Sequence, residues 1–306
     1  MAARTGADAV GRVVTAMVTP LTPDGALDLD GAAVLARHLV ATGSDGLVVG
    51  GTTGESPTLR EEELWELVAA VRGAVGDAAR VVVGTGTNDT ARTIARTVRA
   101  AEVGADAALV VTPYYNRPSQ AGLRAHFRAV ADATDLPLLL YDIPARTGRE
   151  LAPGTLVDLA AVPTIVGVKD ATGDLGKAGD TLVATRGAPG GFALWSGADE
   201  VNLPLLALGA VGVVSVSAHL AGPELAETVR VVDVDPDRAR TLHLRCLPLH
   251  RALFLEPNPG PLKALLAARG LPAGPLRPPL ALPEPDVVAH GLAALEAVER
   301  ARGDAA

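Results

Sequence analysis

Short apolar, β-branched runs alternate with helical stretches eight times along this chain, and few architectures accommodate that pattern. Strands are expected at Arg12–Thr19, Gly46–Gly50, Arg80–Gly84, Ala107–Thr112, Pro137–Tyr141, Thr164–Lys169, Phe192–Ser196 and Val211–Val216. Each leads into a predicted helix, near Leu29–Ala41, Arg60–Val75, Asp89–Val103, Ser119–Ala133, Pro153–Ala160, Leu175–Arg186, Glu200–Leu208 and Pro223–Val231. Alternating units of this kind imply parallel strands joined by right-handed crossovers. Eight of them over roughly 220 residues fit an α/β fold of the (β/α)8 TIM-barrel type better than an open doubly wound sheet. No Gly-x-Gly-x-x-Gly follows the first strand, which argues against a dinucleotide-binding fold.

The rest of the chain divides around this barrel, which is expected over residues 12–234. Residues 1–11 read as a disordered tail. Residues 235–306 read as a C-terminal helical region, with helices near Asp237–Leu255, Pro261–Arg269 and Pro285–Arg302. Proline-rich segments join these helices, and the region is expected to pack on the barrel or on a partner subunit.

Nearly half of the 306 residues are hydrophobic, enough for a large core, while aromatics are only 3%. That balance suits parallel strands covered by helices. The net charge of −8 comes with scattered basic residues, so nucleic acid is not an expected partner. A single cysteine, Cys246, excludes an internal disulfide and fits a reducing compartment. Met1 to Gly11 lacks the apolar core of a signal peptide, and the expected location is cytoplasmic. The longest apolar region, Leu203 to Ala221, is interrupted by Pro204, Gly209, Gly212, Ser215, Ser217 and His219, so no membrane span is expected.

Barrel enzymes carry their chemistry at the C-terminal ends of the strands. Here the second strand ends in Gly51, Thr52 and Thr53, and the fourth in Tyr114 and Tyr115. The fifth ends in Tyr141 with Arg146 in its loop, and the sixth in Lys169. Desolvation at the end of a buried strand lowers a lysine's pKa, and a neutral amine forms Schiff bases with carbonyl substrates. Tyr141 and Lys169 occupy matching ends of consecutive strands and should be close. The glycines around Thr52 and Thr53 suit a nest of backbone N–H groups for a carboxylate. Arg146 is suited to grip another carboxylate through two hydrogen bonds. Each feature alone also fits an ordinary turn or surface residue; it is their convergence on one rim that points to function. His243, Cys246 and His250 share a helical face but lack a fourth ligand, and no metal is expected. Gly84-Thr85-Gly86-Thr87 lacks a Walker lysine, and no nucleotide or other cofactor is expected.

These segments resemble the dihydrodipicolinate synthases, pyruvate-dependent class I aldolases and lyases whose superfamily includes N-acetylneuraminate lyase. The matching motifs are Gly51-Thr52-Thr53-Gly54-Glu55-Ser56, Val111-Thr112-Pro113-Tyr114-Tyr115-Asn116, Tyr141 through Gly148, Gly167 through Gly173, Gly212 through Val216, and Asn258-Pro259-Gly260-Pro261-Leu262-Lys263. The resemblance implies a condensation on the diaminopimelate route to lysine, with Lys169 forming the Schiff base with pyruvate. It implies that Thr53 and neighbouring amides, Gly51 among them, hold the pyruvate carboxylate, and that Val214 lines that pocket. Tyr141 would shuttle protons through Thr52 and through Tyr115 from a neighbouring subunit of a homotetramer. Arg146 would bind the carboxylate of L-aspartate-4-semialdehyde. Asp142 departs from the family's usual asparagine and is expected to add charge at the rim. Two alternatives remain open: a pyruvate-dependent aldolase or dehydratase for a sugar acid, and a catalytically dead paralogue. The Thr52–Thr53 pair and Arg146 favour the synthase over the first, and intact Lys169 and Tyr141 argue against the second.

In lysine-sensitive relatives, the resemblance places an inhibitor pocket beneath the active site. Two histidine positions of that pocket are here Glu61 and Leu64, and a glutamate position is Arg92, while Asn88 and Tyr114 remain. Feedback inhibition by lysine is expected to be weak.

Overall fold

The computed structural model describes residues 6–188 and 191–303. In chain order the elements are α1 (Gly6–Val10), β1 (Val13–Ala16), α2 (Leu29–Ala41), β2 (Gly46–Val49), α3 (Glu61–Val75), β3 (Arg80–Gly84), α4 (Thr90–Glu102), β4 (Ala107–Val111) and α5 (Gln120–Asp132). Then come β5 (Leu138–Asp142), α6 (Pro144–Thr147), α7 (Pro153–Ala160), β6 (Ile165–Asp170), α8 (Leu175–Ala184), β7 (Ala193–Ser196), α9 (Asn202–Leu208), β8 (Gly212–Ser215) and α10 (Ala218–Val231). The chain ends in α11 (Pro236–Ala252), α12 (Gly260–Ala268) and α13 (Pro285–Gly303).

The eight strands form a closed barrel in sequence order. Every neighbouring pair is parallel, and β1 closes the ring against β8 with Val14 opposite Val214. All residues of β1, β2, β5, β6 and β8 are buried, as a strand covered on both faces requires. Asp28, Asp89, Ser119, Asp174 and Asp235 cap their helices through side-chain oxygens. These caps start each helix just past a polar loop and keep the strand-end loops short and fixed.

The barrel is the fold read from the sequence, and two expectations need correction. Of the segment read as a disordered tail, residues 1–11, the first five lie outside the described residues and the remainder contains α1. Its Gly6, Ala9 and Val10 are buried, and the Gly11 carbonyl accepts from Trp195 Nε1 at 2.8 Å. A Cβ on Gly6 would lie 2.8 Å from the Val166 carbonyl oxygen and 2.9 Å from the Trp195 ring. One helical turn is too short to show a periodic signal, yet it plugs the N-terminal end of the barrel. The second correction concerns α10, which begins at Ala218 rather than Pro223. The helical backbone breaks at Ala221 (φ −119°), just before Pro223, so two helical pieces meet at a kink there.

The C-terminal helices are not an independent unit. Cys246, Leu249, Leu262, Leu265, Leu266, Leu295 and Val298 belong to the same apolar core as the barrel strands.

Candidate active site

Lys169 and Tyr141 face each other in the β5–β6 register, and Lys169 Nζ lies 4.1 Å from the centroid of the Tyr141 ring. Burial lowers the Lys169 pKa to about 8; the Asp199 carboxylate opposes this and the Arg146 guanidinium adds to it. Among the described residues Lys169 forms no ion pair. Burial raises Tyr141 to about 12, against the pull of the Arg146 guanidinium and of the nearby Thr52 side chain. The lysine side chain runs over Gly197, where a Cβ would come within 2.8 Å of Lys169 Cγ and 2.9 Å of Cε. Only glycine leaves room for that path.

The loop after β2 supplies the second part of the site. Gly51 and Thr52 carbonyls accept from Gly54, Glu55 and Ser56 amides within the turn. Among the described residues, none accepts from the Thr52 or Thr53 amide. Two adjacent free N–H groups beside the Thr53 hydroxyl make a concave donor set for a carboxylate. Thr53 is buried, and its Oγ1 accepts from Asn258 Nδ2 at 2.9 Å.

A cavity of about 680 Å3 opens from this loop across the rim, lined by Thr52, Val111, Tyr114, Ile143 and Arg146 among others. A narrower one runs inward from Thr52 and Val111 to Tyr141. Arg146 is exposed on α6, a single turn ended by Gly148 in the left-handed conformation (φ 71°). Val214 is buried on β8. Tyr115 does not turn into its own barrel: it has φ 70° and is 89% exposed. Thus Lys169, Tyr141, Thr52, Thr53, Gly51 and Arg146 gather at one barrel end, while Tyr115 points away from it.

Asp142 is not a rim charge. It is buried, accepts from Leu151 N at 3.1 Å and pairs with Lys177 Nζ at 2.6 Å. Burial pushes its pKa up to about 6, with Lys177 pulling the other way. The charge expected at the rim is instead held in an internal ion pair.

Three residues of the site carry no role in the sequence reading. Gly197 is one glycine among 33, and nothing local marks it. Asp199 accepts from the Val216 and Ser217 amides and from Asn202 Nδ2, and places a buried carboxylate behind Lys169. Asn258 opens one of the matching motifs, but its partner Thr53 lies 205 residues away. The His243–Cys246–His250 face is buried; His250 Nδ1 bonds Ser217 Oγ at 2.8 Å, and burial pushes the Cys246 thiol up to about 12. Among the described residues no group of three His, Cys, Asp or Glu is placed to hold a metal.

Two of the positions at which the resemblance places an inhibitor pocket are engaged within the chain. Glu61 bonds Arg96 Nε at 2.7 Å, and Leu64 is buried where a Gly50 Cβ would meet it.

The profile of the dihydrodipicolinate synthetase family matches residues 9–295. The chain belongs to that family. It is 52% identical over 271 residues to the 4-hydroxy-tetrahydrodipicolinate synthase of Moorella thermoacetica, covering 88% of this chain and 92% of that protein. It is 53% identical over 271 residues to 4-hydroxy-tetrahydrodipicolinate synthase 2 of Streptomyces coelicolor, covering 88% and 89%. Among solved structures, the lysine-bound enzyme of Cyanidioschyzon merolae superposes with a TM-score of 0.92 at 42% identity, covering 95% of this chain and 99% of that one. The Thermotoga maritima enzyme does so with 0.92 at 37% identity, covering 94% and 98%. Family membership makes the chain a lyase-type enzyme on a class I aldolase barrel, with the synthase activity of these relatives.

Proposed function

We propose that the chain condenses pyruvate with L-aspartate-4-semialdehyde through a Schiff base on Lys169. The observation that carries this reading is the buried, ion-pair-free amine of Lys169 with a pKa lowered to about 8, set against the Tyr141 ring. The neutral amine adds to the pyruvate ketone, and loss of water leaves an iminium. That cation draws electrons from the neighbouring methyl, which loses a proton to give an enamine. The enamine carbon forms a bond to the aldehyde carbon, whose oxygen gains a proton, and the regenerated iminium is then displaced from Lys169 by water or by the substrate's own amine, which frees the lysine. The iminium is its own electron sink, so the scheme calls for no cofactor.

Tyr141 is the group within reach of these proton transfers, with Thr52 as the next link. The free amides and hydroxyl of the Gly51–Thr53 loop hold the pyruvate carboxylate, and Val214 packs beside it. Arg146 on the open rim takes the carboxylate of the second substrate. Tyr115 completes the relay of a neighbouring subunit, which accounts for its exposed ring and implies an oligomer, a homotetramer in this reading. A cytoplasmic location suits such a biosynthetic enzyme; among the described residues no helix is long and apolar enough to cross a membrane. Borohydride reduction in the presence of pyruvate should fix one adduct, on Lys169. An adduct mapped to Lys177 or Lys263 overturns the assignment.

A further inference from the structure

The C-terminal region reaches into the carboxylate loop at three points. Lys263 of α12 pairs with Glu55 at 2.6 Å, both side chains being buried. Arg277 donates its backbone N–H to Glu55 and makes two 2.7 Å bonds to the Glu63 carboxylate at the start of α3. Asn258 donates to the Thr53 hydroxyl oxygen. Glu55 adopts the left-handed conformation (φ 56°), a strained state for a residue with a Cβ, and these partners on its carboxylate hold it there.

The Asn258 contact has a chemical direction. An amide N–H donates and cannot accept. With Asn258 donating into its lone pair, the Thr53 hydroxyl cannot place its own proton on that partner. Among the described residues Asn258 is the one group bonded to Thr53 Oγ1, so the hydroxyl proton stays available to the site. Asn258 is itself buried, and among the described residues its Oδ1 has no partner. Leaving a buried acceptor unmatched carries a cost, which a purely structural amide would not need to incur.

We propose that Asn258 is a positioning residue that orients the Thr53 hydroxyl, so that its proton is donated to the carboxylate of the 2-oxo acid bound at the Gly51–Thr53 loop. This rests on the reading of that loop as the pyruvate carboxylate site. The C-terminal region thereby sets substrate affinity from outside the barrel. Specificity for a 2-oxo acid over a neutral ketone follows, because an oriented donor is matched to a carboxylate and left unpaired against an alkyl group.

The test is Asn258→Asp, which keeps the shape and reverses the bond. An ionised carboxylate accepts from Thr53 and takes its proton away from the substrate. The KM for pyruvate should rise about 10- to 100-fold, with kcat at saturation changed far less. On acidification the new carboxyl regains a proton and can donate again. Its KM should then fall back towards that of the parent enzyme, which carries Glu55, Lys263 and Arg277 in the same seam and serves as the control. In a Thr53→Val background, Asn258→Asp should add little to KM. Asn258→Ala removes the donor without supplying an acceptor and should have a smaller effect on KM; it serves as the second variant should the first not fold. An unchanged KM in both variants, or full additivity with Thr53→Val, overturns the proposal. Borohydride trapping on the parent enzyme separates the two readings: a pyruvate adduct on Lys169 with unchanged KM values sinks the role of Asn258 alone, whereas no adduct sinks the reading of the site on which it depends.

Discussion

The end of β6 and the seam between the Gly51–Glu55 loop and α12 each bury a lysine, and they treat its charge differently. The chain has three lysines, Lys169, Lys177 and Lys263, and all are buried, at 5%, 9% and 2% exposure. Its exposed cations are arginines. Burial lowers the pKa of Lys263, but the Glu55 carboxylate paired with it at 2.6 Å opposes this, and the amine also donates to the Pro275 carbonyl at 2.8 Å. Lys177 has Asp142 at 2.6 Å. Lys169 has an aromatic ring and, at longer range, Asp199. A buried ammonium with a carboxylate against it is a structural tie. One without such a partner is poised to lose its proton. The difference lies in the partners and not in the depth, so an amine's burial alone does not identify a nucleophile.

Substitution by methionine breaks the comparison most sharply. Lys169→Met should lose turnover by about 10⁴-fold or more, since it deletes the nucleophile, yet raise the melting temperature, since it removes an unpaired buried amine. The folded Lys169 titrates near 8 against an ordinary 10.5. Between those values the unfolded chain binds more protons, so the parent enzyme gains stability as pH climbs through that window. The advantage of Lys169→Met should therefore be greatest below pH 8 and fade as pH rises through 10.5. Calorimetry showing a lower melting temperature for Lys169→Met at pH 7 would contradict the contrast. Lys263→Met should do the opposite, losing about 3–5 kcal/mol in denaturant titration because Glu55 is left uncompensated.

Tyr141→Phe should cut turnover about 10²–10⁴-fold while leaving the borohydride-trapped adduct on Lys169. Loss of trapping with loss of turnover would mean that the ring itself, and not its hydroxyl, serves the amine. A smaller effect is expected in pH dependence. The initial rate of adduct formation should rise roughly fivefold from pH 7 to pH 8 and flatten above pH 9, following the neutral amine. A profile still climbing steeply at pH 10 would place Lys169 with an ordinary lysine. The smallest effect is expected from free L-lysine. With Arg92 in place of a carboxylate and Glu61 committed to Arg96, millimolar lysine should inhibit by less than half at saturating pyruvate. Stronger inhibition would show that ties such as Glu61–Arg96 give way to a competing ammonium.

The barrel is legible in the sequence because each strand is a run of apolar residues stopped by glycine, proline or a polar cluster, and eight such units leave little choice of architecture. Lys169 and Tyr141 are legible for the same reason: residues at matching strand ends are brought together by the register. Gly197 and Asn258 are not. Their roles depend on approach from a neighbouring strand or from a segment 205 residues away, which no local pattern records. Asp142 misleads because a charge at a strand end looks like a rim residue until its partner on α8 is seen. The terminal helix α1 escapes because five residues carry no period.

That short helix also bears on how the chain is made. Gly11 meets Trp195, 184 residues further on, and β1 pairs with β8. The α1 segment must wait for β6 and β7 before its Gly6 and Gly11 meet Val166 and Trp195. Until then its apolar residues and both edges of the growing sheet stay open to other chains. Ring closure and plugging join segments 184 residues or more apart, the kind of contact that slows folding. Refolding should accordingly end with the docking of residues 6–11, and Trp195 fluorescence is the natural signal for that last step.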